Sequence, residues 1–247
     1  MLKNKIAIIT GGSRGIGYAI AQKFAENGAS LLLVALHEER LLNARKEILK
    51  TGCRVEIISG DIADVSFSKR ITEKALEIFG TVDILVNCAG TISRAPVQNL
   101  ALEEWHRVIN VNLHGTFYLS QAVLPIFCSK KSGKIINITS QMARIPHPNA
   151  SPSYEVSKAG MVALTRHLAY HYAKYNICVN AIAPGSIDTD LPKSMPLEAR
   201  QRLKNAIPMQ RLGEPEEVGS LAVFLASDKS NYITGANMNI SGGSLMD

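Results

Sequence analysis

Short apolar runs separated by amphipathic stretches recur along this 247-residue chain, and that alternation constrains its fold more than any other feature. Ile6–Thr10, Leu31–Leu36, Val55–Ser59, Ile84–Asn87, Lys134–Ile138 and Val179–Ala183 each read as a buried strand, with Met238–Ile240 a weaker seventh. They are apolar without strict alternation, the pattern of parallel strands covered on both faces. Between them, Gly17–Asn27 places Ile20 and Phe24 on one helical face with Gly28 as a stop, and Glu38–Lys50 carries Leu41, Leu42, Arg45 and Leu49 at similar spacing. This rhythm implies right-handed crossovers and an α/β fold, a doubly wound seven-stranded parallel sheet with helices on both faces. No Pro/Gly/Ser linker interrupts it, so residues 1–247 are expected to form a single domain. One region breaks the rhythm: Ile187–Leu212, rich in Pro and charge, is expected to be a substrate flap after the sixth strand.

A chain that is 46% hydrophobic and 19% charged can bury a substantial core. Its longest apolar run, Leu31–Leu36, is far too short to cross a bilayer, and MLKNKIAIIT shows no leader cleavage site, so a cytoplasmic protein without membrane contact is expected. The net charge of +6 is spread along the chain, its tightest run being Lys130–Lys131. With no basic arm and no aromatic–basic interleaving, the charge fits an anionic cofactor or substrate better than nucleic acid. The four cysteines form no CxxC pair and read as reduced and mostly buried. His167 and His171 have helical spacing, but Leu168 follows the first, so the zinc-protease pattern is absent and no metal is expected.

Two segments carry chemistry. TGGSRGIG at Thr10–Gly17 follows the first strand and opens the first helix. Glycines there admit positive φ and leave no side chain between backbone N–H groups and a phosphate, which the helix dipole also favours. Tyr18 stands where a P-loop needs lysine. YEVSK places Tyr154 and Lys158 one turn apart on one helical face, and Ser140 lies 14 residues before that tyrosine. A phenol beside an ammonium and a hydroxyl is a set able to move a proton while a hydride moves elsewhere.

On these residues the chain resembles the classical short-chain dehydrogenase/reductase family along essentially its full length. TGGSRGIG resembles the family's glycine motif, NCAG at Asn87–Gly90 its NNAG motif, and VNLHG at Val111–Gly115 the segment with its active-site Asn. NITS ends at the catalytic serine position, YEVSK supplies the tyrosine and lysine, and APGSIDT at Ala183–Thr189 resembles the loop contacting the nicotinamide. The resemblance implies a Rossmann-type NAD(P)-binding fold with Asn112, Ser140, Tyr154 and Lys158 as the catalytic set. Asn112 would anchor a water that feeds protons toward Lys158. Gly11, Ser13, Arg14, Gly15, Ile16, Gly17, His37, Asp61, Ile62, Asn87, Ala89, Gly90, Tyr154, Lys158, Pro184, Gly185, Ile187 and Thr189 would hold the cofactor. Asp61 in GDIAD would meet the adenine; taken alone it reads equally as a turn or N-cap residue. A homotetramer is also implied, and Met161–Leu168 could face a partner or the core.

An NAD-preferring site offers a carboxylate at the end of the second strand, where this chain has Ala35 and Leu36. Arg14 and His37 could instead attract a 2′-phosphate, so NADP(H) is favoured over NAD(H). Cys88 replaces the second Asn of the family motif and is not expected to be a reactive thiol.

RLGEPEEVGSLAVFLASDKSNYITGANMNISGG resembles both the family's 3-oxoacyl-acyl-carrier-protein reductases and its sugar-acid, glucose and polyol dehydrogenases, whereas TISRAPVQNL after Gly90 looks more like the sugar-acid members. The leading expectation is reduction of a carbonyl in a 3-oxoacyl thioester, with acyl carrier protein as the candidate carrier and Lys130, Lys131 and Lys174 as candidate docking cations. The alternative is a sugar-acid or polyol dehydrogenase. A non-catalytic nucleotide sensor is the remote third reading.

Overall fold

The computed structural model describes residues 1–148, 150–189 and 196–246. Its seven strands are β1 (Ile6–Thr10), β2 (Ser30–Ala35), β3 (Val55–Ser59), β4 (Ile84–Asn87), β5 (Gly133–Ile138), β6 (Ile177–Pro184) and β7 (Asn237–Ile240). They form one sheet in the order β3-β2-β1-β4-β5-β6-β7, every neighbouring pair parallel. The helices are α1 (Gly15–Glu26), α2 (Glu38–Leu49), α3 (Val65–Phe79), α4 (Leu102–Ile109), α5 (Gly115–Lys130), α6 (Pro152–Tyr172), α7 (Leu197–Asn205) and α8 (Pro215–Ala226).

The continuous apolar runs of the strands follow from burial on both faces. Ala7, Ile9, Leu31 and Leu33 pack with Ile20, Phe24, Leu41, Val218 and Leu225 of α1, α2 and α8. Ile8, Leu32, Val34 and Leu85 turn the other way, onto Phe67, Ile71, Leu119, Val123 and Phe127 of α3 and α5. Side chains alternate with period two, so a strand sandwiched between helix layers needs apolar residues at every position. The sheet's strand order reverses at β1: the chain first builds outward through β2 and β3, then returns to place β4 on the opposite side. The crevice beyond the C-terminal ends of β1 and β4 is therefore the topological switch point.

Several local expectations change in detail. β6 begins two residues before Val179 because Ile177 and Cys178 already pair with Gly133 and Lys134. In α2 the buried stripe is Leu41, Ala44 and Ile48, while Leu42 and Leu49 are exposed. Arg45 of that helix donates to the carbonyl of Val55 at 3.1 Å and pairs with Glu56. Met161, Val162 and Leu168 face the core, which settles that part of α6 in favour of packing within the chain. Of the four thiols, all free, only Cys178 is buried outright. The proposed flap region contains α7; its residues 190–195 lie outside the described residues.

Between α4 and α5 the helix widens into a single π turn, Asn110–His114. Such a turn carries one extra residue in the backbone ladder and commonly marks a functional position. Among the described residues, no helix is long and apolar enough to cross a membrane.

Candidate active site

The turns after β1 and β4 are tied together by one hydroxyl. Thr10, buried at the end of β1, accepts hydrogen bonds from the backbone N–H of both Cys88 and Ala89 at 3.0 Å. Gly11 has φ +69° and approaches the same turn so closely that a side chain there would meet the Ala89 nitrogen at 2.9 Å. A side chain at Gly17 would lie 2.2 Å from the Gly11 carbonyl, so the turn can close only with glycine at that position. Gly15, at φ +54°, faces open space apart from the methyl group of Thr189, 3.5 Å from where its side chain would begin. Arg14 is exposed and is the N-cap of α1, yet its side chain caps no N–H group, and no acidic residue occupies the first turn. The first-turn donors of α1 thus open onto the switch point beside Ser13 and Ile16, both partly exposed.

The remaining expected cofactor residues fall into two sets. Asp61 is exposed and its Oδ1 accepts from Ala63 N–H at 2.9 Å, a local turn contact, while Ile62 packs against Gly115 at the start of α5. His37 is exposed just after β2, at the N-cap of α2. Gly185 lies after β6, donating to the Ile240 carbonyl at 3.0 Å, and Ile187 bridges to Gly213, which brings Thr189 to the glycine turn. Asn87 differs from its neighbours. Its amide points into the sheet, donating to Asn137 Oδ1 at 2.9 Å and Ser120 Oγ at 3.2 Å; Asn137 in turn donates to Thr165 Oγ1 at 2.8 Å. This buried ladder links β4, α5, β5 and α6, with each polar group finding a partner as burial demands.

Ser140 follows β5 and is the N-cap of the 3-10 turn Gln141–Ala143, its Oγ accepting from Met142 N–H at 3.1 Å. Tyr154 lies in the first turn of α6, a helix started by Ser151 at the N-cap and Pro152 just inside. Burial raises the Tyr154 phenol above its usual range, and its hydrogen bond with Ser140 offsets part of that rise. Lys158, one turn on, is buried, donates from Nζ to the Ile138 carbonyl at 2.8 Å and stands 5.8 Å over the Tyr154 ring. Burial lowers its pKa from an ordinary 10.5 to about 8. Gly90 closes this corner: its missing side chain would meet Asn112 Oδ1 at 3.3 Å and Lys158 Nζ at 3.6 Å.

Asn112, fully buried in the π turn, accepts from Thr91 N–H at 2.8 Å and donates at 2.9 Å both to the Thr91 carbonyl and to Ser157 Oγ. Its side chain therefore locks the segment after Gly90 to α6. Burial pushes the neighbouring Cys88 thiol up to about 12, which leaves it protonated and unreactive at neutral pH.

Thr10, Thr91 and Ser157 are structural members of the site that motif reading did not single out. Each lies inside or beside a quoted motif, and only the three-dimensional partner reveals its task. Gln141 is another: its Oε1 is buried without a partner among the described residues, 3.2 Å from where a Gly185 side chain would begin. Beyond β6, Asp188 Oδ2 accepts from Arg200 Nη2 at 2.6 Å, fastening α7 to the loop that carries Thr189. Elsewhere, the His167 and His171 rings lie 4.4 Å apart with their planes tilted by 49°, and no group of three or more metal-ligating side chains occurs among the described residues.

A family profile described as enoyl-(acyl carrier protein) reductase matches residues 11–244. The chain is 37% identical to a 3-oxoacyl-[acyl-carrier-protein] reductase of Thermotoga maritima over 242 residues, covering 98% of both chains. It superimposes on a proposed gluconate dehydrogenase from Agrobacterium tumefaciens with a TM-score of 0.95 and 32% identity, covering 100% of this chain and 98% of that one. A 3-oxoacyl-[acyl-carrier protein] reductase from Brucella melitensis with bound NAD gives a TM-score of 0.91 at 33% identity, over 99% of this chain and 92% of the other.

Proposed function

The chain belongs to the short-chain dehydrogenase/reductase family, whose members are oxidoreductases that bind a nicotinamide cofactor, and on that premise we propose that it reduces the carbonyl of a 3-oxoacyl thioester to a secondary alcohol with NADPH. The observation carrying this reading is the joint placement of Ser140, Tyr154 and Lys158, with Lys158 Nζ over the phenol ring and Ser140 hydrogen-bonded to Tyr154.

The switch point fits a dinucleotide. The uncapped first turn of α1, the open face at Gly15 and the cation of Arg14 suit a pyrophosphate. In this reading Gly11, Ser13, Ile16 and Gly17 shape that cradle, while His37, Asp61 and Ile62 flank the adenosine half. Ala89, Gly90, Pro184, Gly185, Ile187 and Thr189 line the nicotinamide half, and Asn87 supports it from inside the sheet. The reduced nicotinamide, when bound, supplies the hydride. Tyr154 then gives the proton from its hydroxyl to the substrate oxygen, and Ser140 Oγ hydrogen-bonds that same oxygen to orient the carbonyl. Lys158 holds a positive charge beside the phenol, so that the phenolate left by proton transfer is stabilised. Asn112 fixes the backbone around Thr91 and Ser157 against which Lys158 lies.

NADPH is favoured over NADH because β2 ends at Ala35, and exposed Leu36 and His37 follow before any carboxylate is reached. Binding of a substrate carried on acyl carrier protein would use Lys131 and Lys174; Lys130 is already paired with Asp83. The exposed Phe117, Val156 and Tyr170 on α5 and α6 support the homotetramer, and the same proposal places it in the cytoplasm.

A second reading, a sugar-acid dehydrogenase, draws on TISRAPVQNL and on the full-length likeness to the Agrobacterium protein. Acetoacetyl thioester reduction, assayed side by side with NADPH and NADH, separates them. Fast consumption of NADPH supports the thioester reading. No turnover with either cofactor, together with gluconate oxidation, moves the assignment to the second.

A further inference from the structure

A cavity of about 560 Å³ lies at the opposite edge of the sheet, where β4, β5 and β6 begin. That volume is typical of small-molecule pockets. Lys134, the second residue of β5, lines it although its side chain is only 9% exposed. The ammonium has one long contact, to Ser230 Oγ at 3.4 Å, and that hydroxyl is itself directed at the carbonyls of Leu225 and Ser227. An ammonium carries three donors, so Lys134 keeps N–H groups with no acceptor among the described residues.

The acidic side chains of the wall do not neutralise it. Asp83 is engaged by Lys130 and by the backbone N–H of Ile6 at 2.8 Å. Asp228 lines the cavity without forming an ion pair to Lys134, and Lys5 adds a second cation to the same wall. Thr234, on the same wall, accepts from Val179 N–H at 3.1 Å and keeps its hydroxyl proton to donate. A shielded cation with spare donors, sharing a cavity wall with a hydroxyl donor, is matched by a group rich in acceptors and negative charge.

We propose that this cavity binds a small oxyanion, a phosphate or carboxylate group, on Lys134. The site is separate from the catalytic one: Ser140 lies six residues along the chain from Lys134, roughly 20 Å in extended geometry.

The test is calorimetric titration of inorganic phosphate and, separately, of succinate. Chloride is exchanged to hold ionic strength constant, and the protein is saturated with nicotinamide dinucleotide so that the glycine turn is occupied. At least one anion is expected to bind at a single site, and which one does so identifies the oxyanion. Lys134→Met, which keeps the apolar stem, should weaken it about tenfold or more. Asp228→Asn removes a like charge from the wall and should tighten binding severalfold. Absence of binding by both anions, or equal affinity in the unaltered protein and Lys134→Met, overturns the proposal. Should Lys134→Met fail to bind dinucleotide and so prove misfolded, Asp228→Asn decides alone, and an unchanged affinity there is equally fatal.

Discussion

Lys158 holds its ammonium 5.8 Å over the ring of Tyr154 while anchored at 2.8 Å to the carbonyl of Ile138. The anchor fixes the cation at the end of β5, the strand that also delivers Ser140. The phenol, the ammonium and the serine hydroxyl are thus referenced to one strand and one helix.

Removing the phenol oxygen should end chemistry and spare binding. Tyr154→Phe is expected to lower turnover by about a thousandfold or more, while the NADPH dissociation constant changes by no more than about twofold. Fluorescence titration alongside the steady-state assay checks both halves.

Reduction should fade on the alkaline side. Lys158 titrates at about 8, and above that pH the phenol loses its neighbouring charge. Because the Tyr154 phenol is itself raised, the falling limb belongs to the lysine. The pH profile of kcat/KM for carbonyl reduction should therefore decline through pH 8, and Lys158→Arg should carry the decline to higher pH in whatever activity it retains.

The same burial makes Lys158 costly to the fold. An unfolded lysine takes up its proton below its ordinary 10.5, the folded one only below about 8. Between those values the unfolded chain binds more protons, so stability rises with pH across that window; below it the penalty is complete, roughly 3 kcal/mol. Lys158→Met should raise Tm by several degrees at neutral pH while abolishing activity, as differential scanning calorimetry and assay would show. An unchanged or lower Tm contradicts the assignment of that cost.

Asn112 is the reverse case, a polar group whose every bond is made. Asn112→Ala strands Thr91 N–H and the Thr91 carbonyl and removes a donor from Ser157 Oγ, which keeps its bond to the Tyr154 carbonyl, and should cost about 2–4 kcal/mol in urea unfolding. Asn112→Asp, which keeps the acceptor for Thr91 N–H, should be milder in stability at a pH where the carboxyl is protonated.

Arg200 and Asp188 make one hydrogen bond, while Arg200 Nε and Asp188 Oδ1 are buried without partners among the described residues. Arg200→Met leaves the carboxylate without its cation. Faster amide exchange across α7 and a raised KM, with kcat nearly preserved, are expected; unaltered exchange would show that the pair does not hold the helix.

Much of this was legible in the residues. Strands such as β1, β3 and β4 have the predicted boundaries because a strand buried on both faces must be apolar throughout, and such runs end abruptly at glycine or polar turns. The stripe of α2 departs from its expected residues because Leu42 and Leu49 share hydrophobicity but not orientation with Leu41 and Ile48; packing, not composition, selects among them. Asn87 shows a different limit. Its motif marks the position, yet only the facing strand and helix reveal that its amide serves the sheet interior. Lys134 reads as one polar residue opening an apolar run, and its shielding depends on the turn at Ser230, nearly a hundred residues away. The junction of α4 and α5 was invisible, because within a single turn no sequence period distinguishes hydrogen bonds spanning four residues from those spanning five.

That junction has a mechanical meaning. Each residue advances an α-helix by about 100°, so one additional residue in the Asn110–His114 turn offsets the phase of everything after it. Upstream, Val108 is buried; downstream, Leu119, Val123 and Phe127 are buried against the sheet. Without the offset, a straight rod could not present both faces correctly and still aim Asn112 inward. A deletion within those five residues would act like a slipped gear tooth, forcing the protein to surrender either the packing of α5 or the side chain that braces the corner beside Lys158.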